Sequence, residues 1–404
     1  MSDLAFPASR TAALEKLQAF VPKAGRDYAA KRNYDLPGHP HVSGLSPYIR
    51  HRVLTETEVL EATLNRHSPQ AAEKFIQEVF WRTYWKGWLE MRPGVWGQYK
   101  ADLNQAINNL QTQSGLRAEW EAACKGETGI EPFDHWAKEL VQTGYLHNHA
   151  RMWFASIWIF TLRLPWSLGA DFFLRHLLDG DPAANTLSWR WVGGLQTMGK
   201  TYLARTSNIS KFTEGRFHPK WQLAGEASPL KGPEPPARQP LKPSGHPARA
   251  TNPVLLLTEE DLSPGFLFQA GLKPKASALL LSTRRRSPLN VVPQVIEFTE
   301  NIAKEALKRY ASSLGENAGF LEDADAVLAW AETHGADAIV TPQAPVGPAA
   351  DQLNSLRSKV LEHGIDLIEV RRDFDEQAWP HATHGFFRFK EHIPSLLTSL
   401  NITS

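Results

Sequence analysis

The sequence predicts two unlike parts: an all-helical domain followed by an α/β domain with a doubly wound parallel sheet. Three observations lead to this prediction. The chain of 404 residues is longer than one ordinary hydrophobic core supports. Residues 227–253 contain eight prolines, which is typical of an extended, semi-rigid connector. The apolar spacing changes across this connector, so we place the helical domain at 1–226 and the α/β domain at 254–404.

The helical domain is predicted from apolar residues that recur every three or four positions. This spacing predicts helices over 11–21, 71–89 and 135–160. Nearly all of the fourteen tryptophans also lie before residue 222. The two parts therefore differ in composition as well as in apolar period.

The α/β domain is predicted from short β-branched or leucine-rich runs that alternate with helical patterns. Gly335 and Gly364 end two of the helices. No G-x-G-x-x-G motif follows the first strand, so the pattern does not support dinucleotide binding there. The predicted strands are 254–257, 278–282, 337–341 and 366–370, and the predicted helices are 295–314, 324–335 and 349–364.

Composition excludes several classes of protein. The apolar and charged fractions, 42% and 22%, are those of a soluble globular chain. The longest apolar run, 152–162, is too short to span a bilayer, and the N-terminus lacks the pattern of a signal peptide. The single cysteine, Cys124, permits no internal disulfide and no cysteine-based metal cluster, and we predict no metal site. A cytoplasmic protein without membrane partners is expected.

Charge divides the chain in the same place. Residues 1–220 hold 26 Lys and Arg against 21 Asp and Glu, a net charge of +5, whereas residues 251–404 hold 14 against 20, a net charge of −6. If the protein binds a nucleic acid, the helical domain is the expected surface. The alternative is that this modest excess is only a solvated face.

Two clusters of polar residues early in the helical domain suggest a site. The run VSGLS, 42–46, offers hydroxyl and backbone N–H groups that suit phosphate oxygens, although a simple capped loop would look the same. In the helix at 71–89, Glu78, Trp81, Arg82 and Trp85 share one face. They could line a cavity, and the alternative is an amphipathic helix with a solvent-directed arginine.

Two further clusters follow later in the domain. The stretch 143–153 places His147, Asn148, Arg151 and Met152 on adjacent turns, where a lone histidine would usually be a core residue. The stretch LDGDPAANTLSWRW, 178–191, combines two carboxylates, an amide and two indoles. Polar groups this close to large aromatic rings suggest that something flat and polar lies between them.

Taken together, the four clusters resemble the flavin-binding helical domain of the DNA photolyase/cryptochrome family over roughly residues 5–220. Their order and spacing agree with that family's motifs. The residues that make up the resemblance are Tyr28, Arg32, Asn33 and the VSGLS run; Glu78, Trp81 and Arg82; Thr143 through Met152; and Asp179, Asp181, Asn185, Trp189 and Trp191.

The resemblance implies a non-covalent, U-folded FAD. It implies that Asp179 pairs with Arg151, that Asp181 accepts from the flavin ring, and that the Asn185 amide faces flavin N5. The other cofactor-binding residues that it implies are Ser43, Leu45 and Ser46 at the pyrophosphate and Tyr28, Arg32, Arg82 and Asn148 around the pocket.

The resemblance also implies an electron chain that starts at Trp189 and continues to Trp166. The outermost tryptophan stays open among Trp96, Trp120 and Trp136.

Residue identities favour one branch of the family. Asn185 stands where cyclobutane-dimer photolyases carry Asn, whereas plant cryptochromes carry Asp and insect ones Cys. Asn148 and Met152 occupy the positions of two histidines that (6-4) photolyases require, and neither can act as a general acid. His149 stands where an Arg often meets DNA phosphate. The predicted dimer pocket comprises Glu78, Trp81, Asn148, Met152 and Trp191.

The implied activity is light-driven repair of cyclobutane pyrimidine dimers in DNA by a monomeric enzyme. The dimer is flipped from the duplex, receives an electron from excited reduced FAD, splits and returns the electron. Two alternatives stay open: a cryptochrome-like blue-light photoreceptor with a partner on the C-terminal domain, and another role of the retained FAD fold.

The chain order departs from that of the family, whose α/β antenna domain comes first. We therefore expect a circular permutation. Whether the α/β domain binds a second, antenna chromophore (folate or deazaflavin) stays open at this point.

Overall fold

The computed structural model describes residues 6–402, so the first five residues of the predicted helical domain and the last two of the α/β domain lie outside it. Helices occupy the chain up to residue 212, and a parallel sheet with flanking helices begins at residue 253. The predicted fold class is confirmed. No helix between residues 6 and 402 combines the length and the apolar character needed to cross a bilayer.

The first part of the chain consists of short and medium helices. A π-helical turn, Ile157–Thr161, continues the ninth of them. Their bounds are α1 Arg10–Phe20, α2 Arg26–Lys31, α3 Ser46–Arg50, α4 Glu56–Leu64, α5 Glu73–Glu90, α6 Gly94–Thr112, α7 Ser114–Lys125, α8 Glu131–Thr143, α9 Asn148–Ser156, α10 Trp166–His176, α11 Pro182–Val192 and α12 Thr206–Phe212.

The second part alternates strands and helices, as the sequence pattern predicts. The elements are β1 Pro253–Leu257, α13 Gly265–Gln269, β2 Ala276–Leu280, α14 Pro293–Arg309, β3 Glu316–Leu321, α15 Ala324–Thr333, β4 Ala338–Pro342, α16 Pro348–Glu362, β5 Asp366–Val370, α17 Asp373–Ala378, α18 Phe386–Phe389 and α19 Ile393–Ser399.

The predicted helix at 135–160 is wrong as a single element. It is divided into α8 and α9 because Gly144 adopts φ +67°, which ends α8 in a left-handed turn. A Cβ atom at Gly144 would lie 2.6 Å from Cγ of Leu178, so the close approach also requires glycine. The break lets His147 cap the new helix α9. Asn148, Arg151 and Met152 therefore lie at the start of a helix rather than in the middle of one.

The sheet is entirely parallel, with the strand order β3-β2-β1-β4-β5. Leu255 pairs with Ser277 of β2, and Val254 pairs with Ile339 of β4. The four predicted strands correspond to β1, β2, β4 and β5. The sequence pattern missed β3 because this edge strand is largely exposed and contains no apolar run.

The hydrophobic core is continuous between the two parts of the chain. Side chains alternate along β1, so Leu255 and Leu257 face a core shared with the helical part. Val254 and Leu256 face the opposite side, which α15 and α16 cover. One face of the sheet therefore packs toward the helices that carry the predicted site.

Buried ion pairs join the two parts at the turn that follows β1. Arg50 donates two hydrogen bonds of 2.6 Å to Glu260, and its Nε donates to the carbonyl of Gly180. Arg52 lies 2.6 Å from Asp375 and 3.2 Å from Asp261. Because removing one partner of a buried pair costs several kcal/mol, these contacts fix the α/β part against the turn between α3 and α4.

The predicted connector lies along the protein surface. Residues 227–246 form no helix or strand. Their backbone N–H groups still bond to the body of the protein: Leu230 donates to Gly193, Gln239 to Met91 and Gly245 to Glu369. Three backbone hydrogen bonds thus attach the proline-rich segment to the rest of the protein.

Candidate functional site

Most of the predicted site residues lie on α5, α9 and α11, in the loop 42–46 and in the turn 177–181, while Tyr28 lies on α2 and Trp166 on α10. Helix α11 packs against both α5 and α9. The loop 42–46 leads into α3, and the turn 177–181 connects α10 to α11. This arrangement brings segments that are about 100 residues apart in sequence to one region.

The loop 42–46 is partly exposed and carries polar groups. The Ser43 hydroxyl accepts a hydrogen bond from the backbone N–H of Leu45. Gly44 has φ +61°, and a Cβ atom there would lie 3.7 Å from Nζ of Lys16. Burial lowers the pKa of Lys16. The loop therefore combines hydroxyls, backbone N–H groups and one amine, which together suit a phosphate.

Asp179 and Arg151 form the ion pair that the resemblance implies. Nη2 of Arg151 donates to Oδ2 of Asp179 over 2.9 Å, and its Nε donates to the carbonyl of Leu146. Although burial alone would raise the pKa of Asp179, Arg151 and Arg82 hold it below its usual value. The other carboxylate oxygen, Oδ1, is buried without a hydrogen-bond partner among the described residues.

Asp181 caps helix α11 and is surrounded by cations. Its Oδ1 accepts from the backbone N–H of Ala184, and its Oδ2 lies 3.5 Å from Arg82, 3.6 Å from Lys86 and 3.9 Å from Arg50. Burial favours the neutral acid, but the three cations outweigh it and depress the pKa of Asp181 well below its usual range. The carboxylate is therefore ionised and fixed.

Sequence reasoning missed three cations near the site: Lys16, Arg50 and Lys86. Lys86 follows Arg82 by four positions, so its place on the same face of α5 was readable from the sequence. Its Nζ is buried without a hydrogen-bond partner among the described residues. Lys16 and Arg50 lie on other helices, and no local pattern relates them to the site.

Asn185 is held in one orientation on the first turn of α11. It is 8% exposed, and its Nδ2 donates a hydrogen bond of 2.8 Å to the carbonyl of Ala170 on α10. This contact leaves Oδ1 as an acceptor for an N–H group of a ligand. We call Asp179, Asp181 and Asn185 the floor of the site.

The two tryptophans predicted for electron transfer are buried, with Trp189 one turn after Asn185 on α11 and Trp166 at the start of α10. Trp189 contacts Trp158 and Phe173 edge-on, and a Cβ atom at Gly169 would lie 2.3 Å from its ring. Trp166 lies beneath the guanidinium of Arg190.

The structure separates the three candidates for the outermost tryptophan. The ring of Tyr99 is 5.8 Å from Trp166 and 5.1 Å from Trp96, so these three rings form a continuous series. Trp136 instead stacks on Trp153 and donates to Asp35. Trp120 lines a surface groove beside Cys124. Ring contacts therefore favour Trp96.

The residues predicted to meet a DNA lesion are partly exposed. Glu78 is paired with Arg32 at 2.6 Å, and burial raises the pKa of Glu78 although Arg32 opposes this. Asn148 is exposed, and Met152 is half-buried. The two predicted stacking indoles, Trp81 and Trp191, are half-buried as well.

Each of these two indoles is supported on one side by another ring. Trp81 stacks on Phe386 of α18, with centroids 3.7 Å apart and planes inclined by 12°. Trp191 stacks on Tyr202 at 5.6 Å. One face of each indole is therefore occupied, and a ligand could stack only on the other.

Four predicted residues remain, and each packs within the helical part. Leu45 is fully buried and Ser46 begins α3, next to Ser43. Tyr28 packs edge-on against Phe20 and Phe75. His149 stacks on Trp153 at 4.1 Å, and burial lowers its pKa, so it offers no charge to a phosphate at neutral pH.

Comparisons with known proteins agree with this geometry. A family model described as the FAD binding domain of DNA photolyase matches residues 75–222. The deoxyribodipyrimidine photo-lyase of Alkalihalophilus pseudofirmus is 30% identical over 191 residues, which cover 47% of this chain and 39% of that protein. The corresponding protein of Thermus thermophilus is 31% identical over 214 residues, 52% of this chain and 49% of that one.

Two solved structures are also similar. A class III photolyase from Agrobacterium tumefaciens is 28% identical, with a TM-score of 0.43 over 51% of this chain and 43% of that chain. A cryptochrome from Synechocystis is 23% identical, with a TM-score of 0.44 over 53% and 45%. The chain spans about two fifths to one half of the length of the curated relatives named above.

The helical part is therefore a flavin-binding domain. Through it the chain is similar to the DNA photolyase/cryptochrome family over residues 75–222, and FAD is its cofactor. The site fits this group, because Asp179 Oδ1 and Lys86 Nζ are buried without hydrogen-bond partners among the described residues and Asn185 Oδ1 is free to accept.

Proposed function

We propose that this protein uses light to repair cyclobutane pyrimidine dimers in DNA. The observation that supports this most is the partly exposed set on α5, α9 and α11, the helices that also carry Arg82, Arg151 and Asn185: Glu78, Trp81, Asn148, Met152 and Trp191. Bound FAD would supply excited-state one-electron chemistry. Asp179, Asp181 and Asn185 would hold the flavin, and the partly exposed set would hold the lesion.

The floor residues would position the flavin and keep its charge. Arg151 and Asp179 would fix one edge of the ring, and Oδ1 of Asn185 would accept from flavin N5–H. An amide cannot supply the proton that an Asp would, so Asn185 favours an anionic reduced flavin. Lys86 and Arg82 face the carboxylate of Asp181, whereas Arg50 is already paired with Glu260.

The partly exposed residues would select the lesion. The free faces of Trp81 and Trp191 suit stacking of two pyrimidine rings, which every base offers through its π face. Glu78 has a raised pKa and would hydrogen-bond the base edge. Asn148 and Met152 cannot act as general acids, so the chemistry of (6-4) repair is not supported.

The electron series would reduce oxidised flavin from outside. Trp189 would be its inner end, one helical turn after Asn185. Ring contacts join Trp166, Tyr99 and Trp96 and lead toward α16, where the indole N–H of Trp96 donates to Asp351. We assign Trp96 as the outer end of this series.

A second candidate is a blue-light photoreceptor. The observation that favours it is the direct stacking of Trp81 on Phe386, which connects the site to the C-terminal part. In that case, a partner protein would bind the acidic α/β part, and DNA would not bind the partly exposed rim of the site around Trp81 and Trp191.

Photorepair separates the two functions. The purified, photoreduced holoprotein would be illuminated with blue light in the presence of an oligonucleotide that contains one thymine dimer. Recovery of intact thymines, followed by chromatography, is expected for the repair enzyme. A flavin-loaded protein that binds the oligonucleotide without repairing it in the light would contradict repair and favour the photoreceptor.

A further inference from the structure

The segment 384–390, HGFFRFK, presents one aromatic ring to solvent. Phe387 is 76% exposed, whereas its neighbours Phe386 and Phe389 are buried. Helix α18 thus anchors itself by two phenylalanines and leaves the third outside. Single exposed apolar residues are common, so exposure alone assigns no role to Phe387.

The segment is fixed directly beside the lesion-facing residues. Phe386 stacks on Trp81, the Tyr84 hydroxyl donates to the carbonyl of His384 over 2.8 Å, and Arg92 donates to the carbonyl of Thr383 over 3.0 Å. Three contacts with α5 or its C-terminal end therefore hold the segment in place. Phe387 is one residue away from the ring that supports Trp81.

Charge around Phe387 differs from the rest of the C-terminal part. Residues 377–390 contain no Asp or Glu, although residues 251–404 carry a net charge of −6. Arg388 is exposed, and Nζ of Lys390 lies 5.3 Å from the centre of the Phe387 ring. The exposed ring is therefore accompanied by two cations, which complements a phosphate backbone.

We propose that Phe387 stacks on a DNA base next to the flipped dimer while Arg388 and Lys390 contact the flanking phosphates. An exposed aromatic ring with adjacent cations suits unstacked bases, and apolar side chains that insert between base steps help to open a duplex. The C-terminal part would then contribute to a DNA interface that sequence analysis assigns to the helical part alone. This inference rests on the proposed repair function.

The test is competition binding by the FAD-loaded protein to three probes: a duplex with one thymine dimer, the same duplex undamaged, and the damaged single strand. Phe387→Ala is expected to weaken binding to the damaged duplex at least about fivefold, since base–aromatic stacking is worth about 1–3 kcal/mol per base. Affinity for the undamaged duplex should change little. A 2-aminopurine next to the dimer should also brighten less than with wild type, because its unstacking is less complete.

Phe320→Ala is the matched control. Phe320 is 39% exposed in the same part of the chain, on edge strand β3, and Lys304 lies 5.6 Å from its ring. It lies on the sheet edge rather than beside α5, so its loss should change none of the three affinities. The double variant Arg388→Gln/Lys390→Gln should reduce the salt dependence of duplex binding by about two ions.

The outcomes separate this inference from the proposed function. If wild type prefers the damaged duplex but Phe387→Ala and Phe320→Ala both bind it as wild type does, the role of Phe387 is overturned and repair stands. If wild type shows no preference for the damaged duplex, the proposed function fails and this inference fails with it.

Discussion

The floor and the rim of the site differ in how firmly their residues are held. On the floor, Asp179, Asp181 and Asn185 are at most 8% exposed, and each is bound to at least one fixed protein partner. On the rim, Trp81 and Trp191 are half-buried and supported on only one face. The floor is thus organised before a ligand arrives, whereas the rim keeps free surface for one.

The floor and the rim also interact with their ligands in different ways. Floor carboxylates stay ionised because cations face them, which makes each of them costly to alter. Rim residues interact chiefly through ring faces, so their loss should remove affinity for a lesion without disturbing the cofactor. Substitutions in the two regions should therefore change different measurements.

The largest expected effect is that of Asp179→Ala on the floor. This change leaves Arg151 partly buried without its carboxylate and removes Oδ1, which has no hydrogen-bond partner among the described residues. We expect the purified variant to lose most of its FAD, with affinity at least about tenfold weaker. The measurement is the ratio of flavin absorbance to protein absorbance, followed by titration with added FAD.

Asp351→Ala is the control for this prediction. Asp351 is an exposed carboxylate that pairs with Lys100, so its loss should leave the flavin content unchanged. Equal flavin content in wild type and Asp179→Ala would contradict the assignment of the floor.

The next largest effect is expected for Trp189→Phe. Trp189 lies one turn after Asn185 on α11. Phenylalanine is far harder to oxidise than tryptophan, so photoreduction of oxidised FAD should fall by more than tenfold. Repair by chemically pre-reduced protein should stay nearly intact, because the electron returns at the end of each cycle. Absorbance under blue light measures the first activity and dimer splitting the second.

Two further variants test the outer end of the electron series. Trp96→Phe should slow photoreduction, because Trp96 is in ring contact with Tyr99. Trp136→Phe should not, because Trp136 packs on Trp153. The reverse result would show that the electron reaches the flavin by another route.

How much of this could be predicted from sequence depended on whether the signal was local. The helices and buried strands followed from apolar spacing, and the ion pair of Arg151 with Asp179 followed from motif resemblance. The exposed edge strand β3 gave no apolar signal, and Gly144 interrupted a spacing that otherwise continued through α8 and α9.

Contacts between distant segments left no signal at all. Phe386 lies 305 positions from Trp81, and Glu260 lies 210 from Arg50, yet the first pair stacks and the second forms a buried ion pair. Lys86 is intermediate, because its helical spacing from Arg82 indicated the face but not the buried Asp181 opposite it. The roles of the site residues stay predictions until variants are measured.

Glu90 is a buried carboxyl group whose pKa shifts in the opposite direction from those of Asp179 and Asp181. This carboxyl group, at the end of α5, accepts hydrogen bonds from the backbone N–H of Val346 and from Gln343 of the α/β part. Among residues 6–402 no cation forms an ion pair with it, and burial raises its pKa to about 7 although Lys242 and Arg371 oppose this. A buried carboxyl without a paired cation is therefore about half protonated at neutral pH, unlike Asp179 and Asp181.

The stability that Glu90 contributes should depend on pH. Its folded pKa is raised, so this stability is complete below the unfolded value of about 4.5 and is lost as pH rises through about 7. Over this window wild type should lose roughly 3 kcal/mol relative to Glu90→Gln, which cannot ionise. Urea unfolding of both proteins at several pH values between 4.5 and 8 measures the difference. If the free energies of unfolding of the two proteins change in parallel with pH, the raised pKa of Glu90 is contradicted.

The smallest expected effects are those of Trp191→Ala and Trp81→Ala at the rim. Each removes a ring face worth about 1–3 kcal/mol of base stacking, so each should reduce the preference for dimer-containing over undamaged DNA. Flavin content should stay at the wild-type level, because neither indole supports the floor carboxylates. Affinity for undamaged DNA should change little and should weaken with salt as in wild type, since phosphate contacts position the protein while stacking selects the lesion.

Trp191→Ala is the cleaner of the two variants, because Trp81→Ala also leaves Phe386 without its stacking partner. Competition binding at two salt concentrations measures the preference, and flavin absorbance of the same samples measures the cofactor. A variant that loses flavin and lesion preference together would show that floor and rim are one unit rather than two.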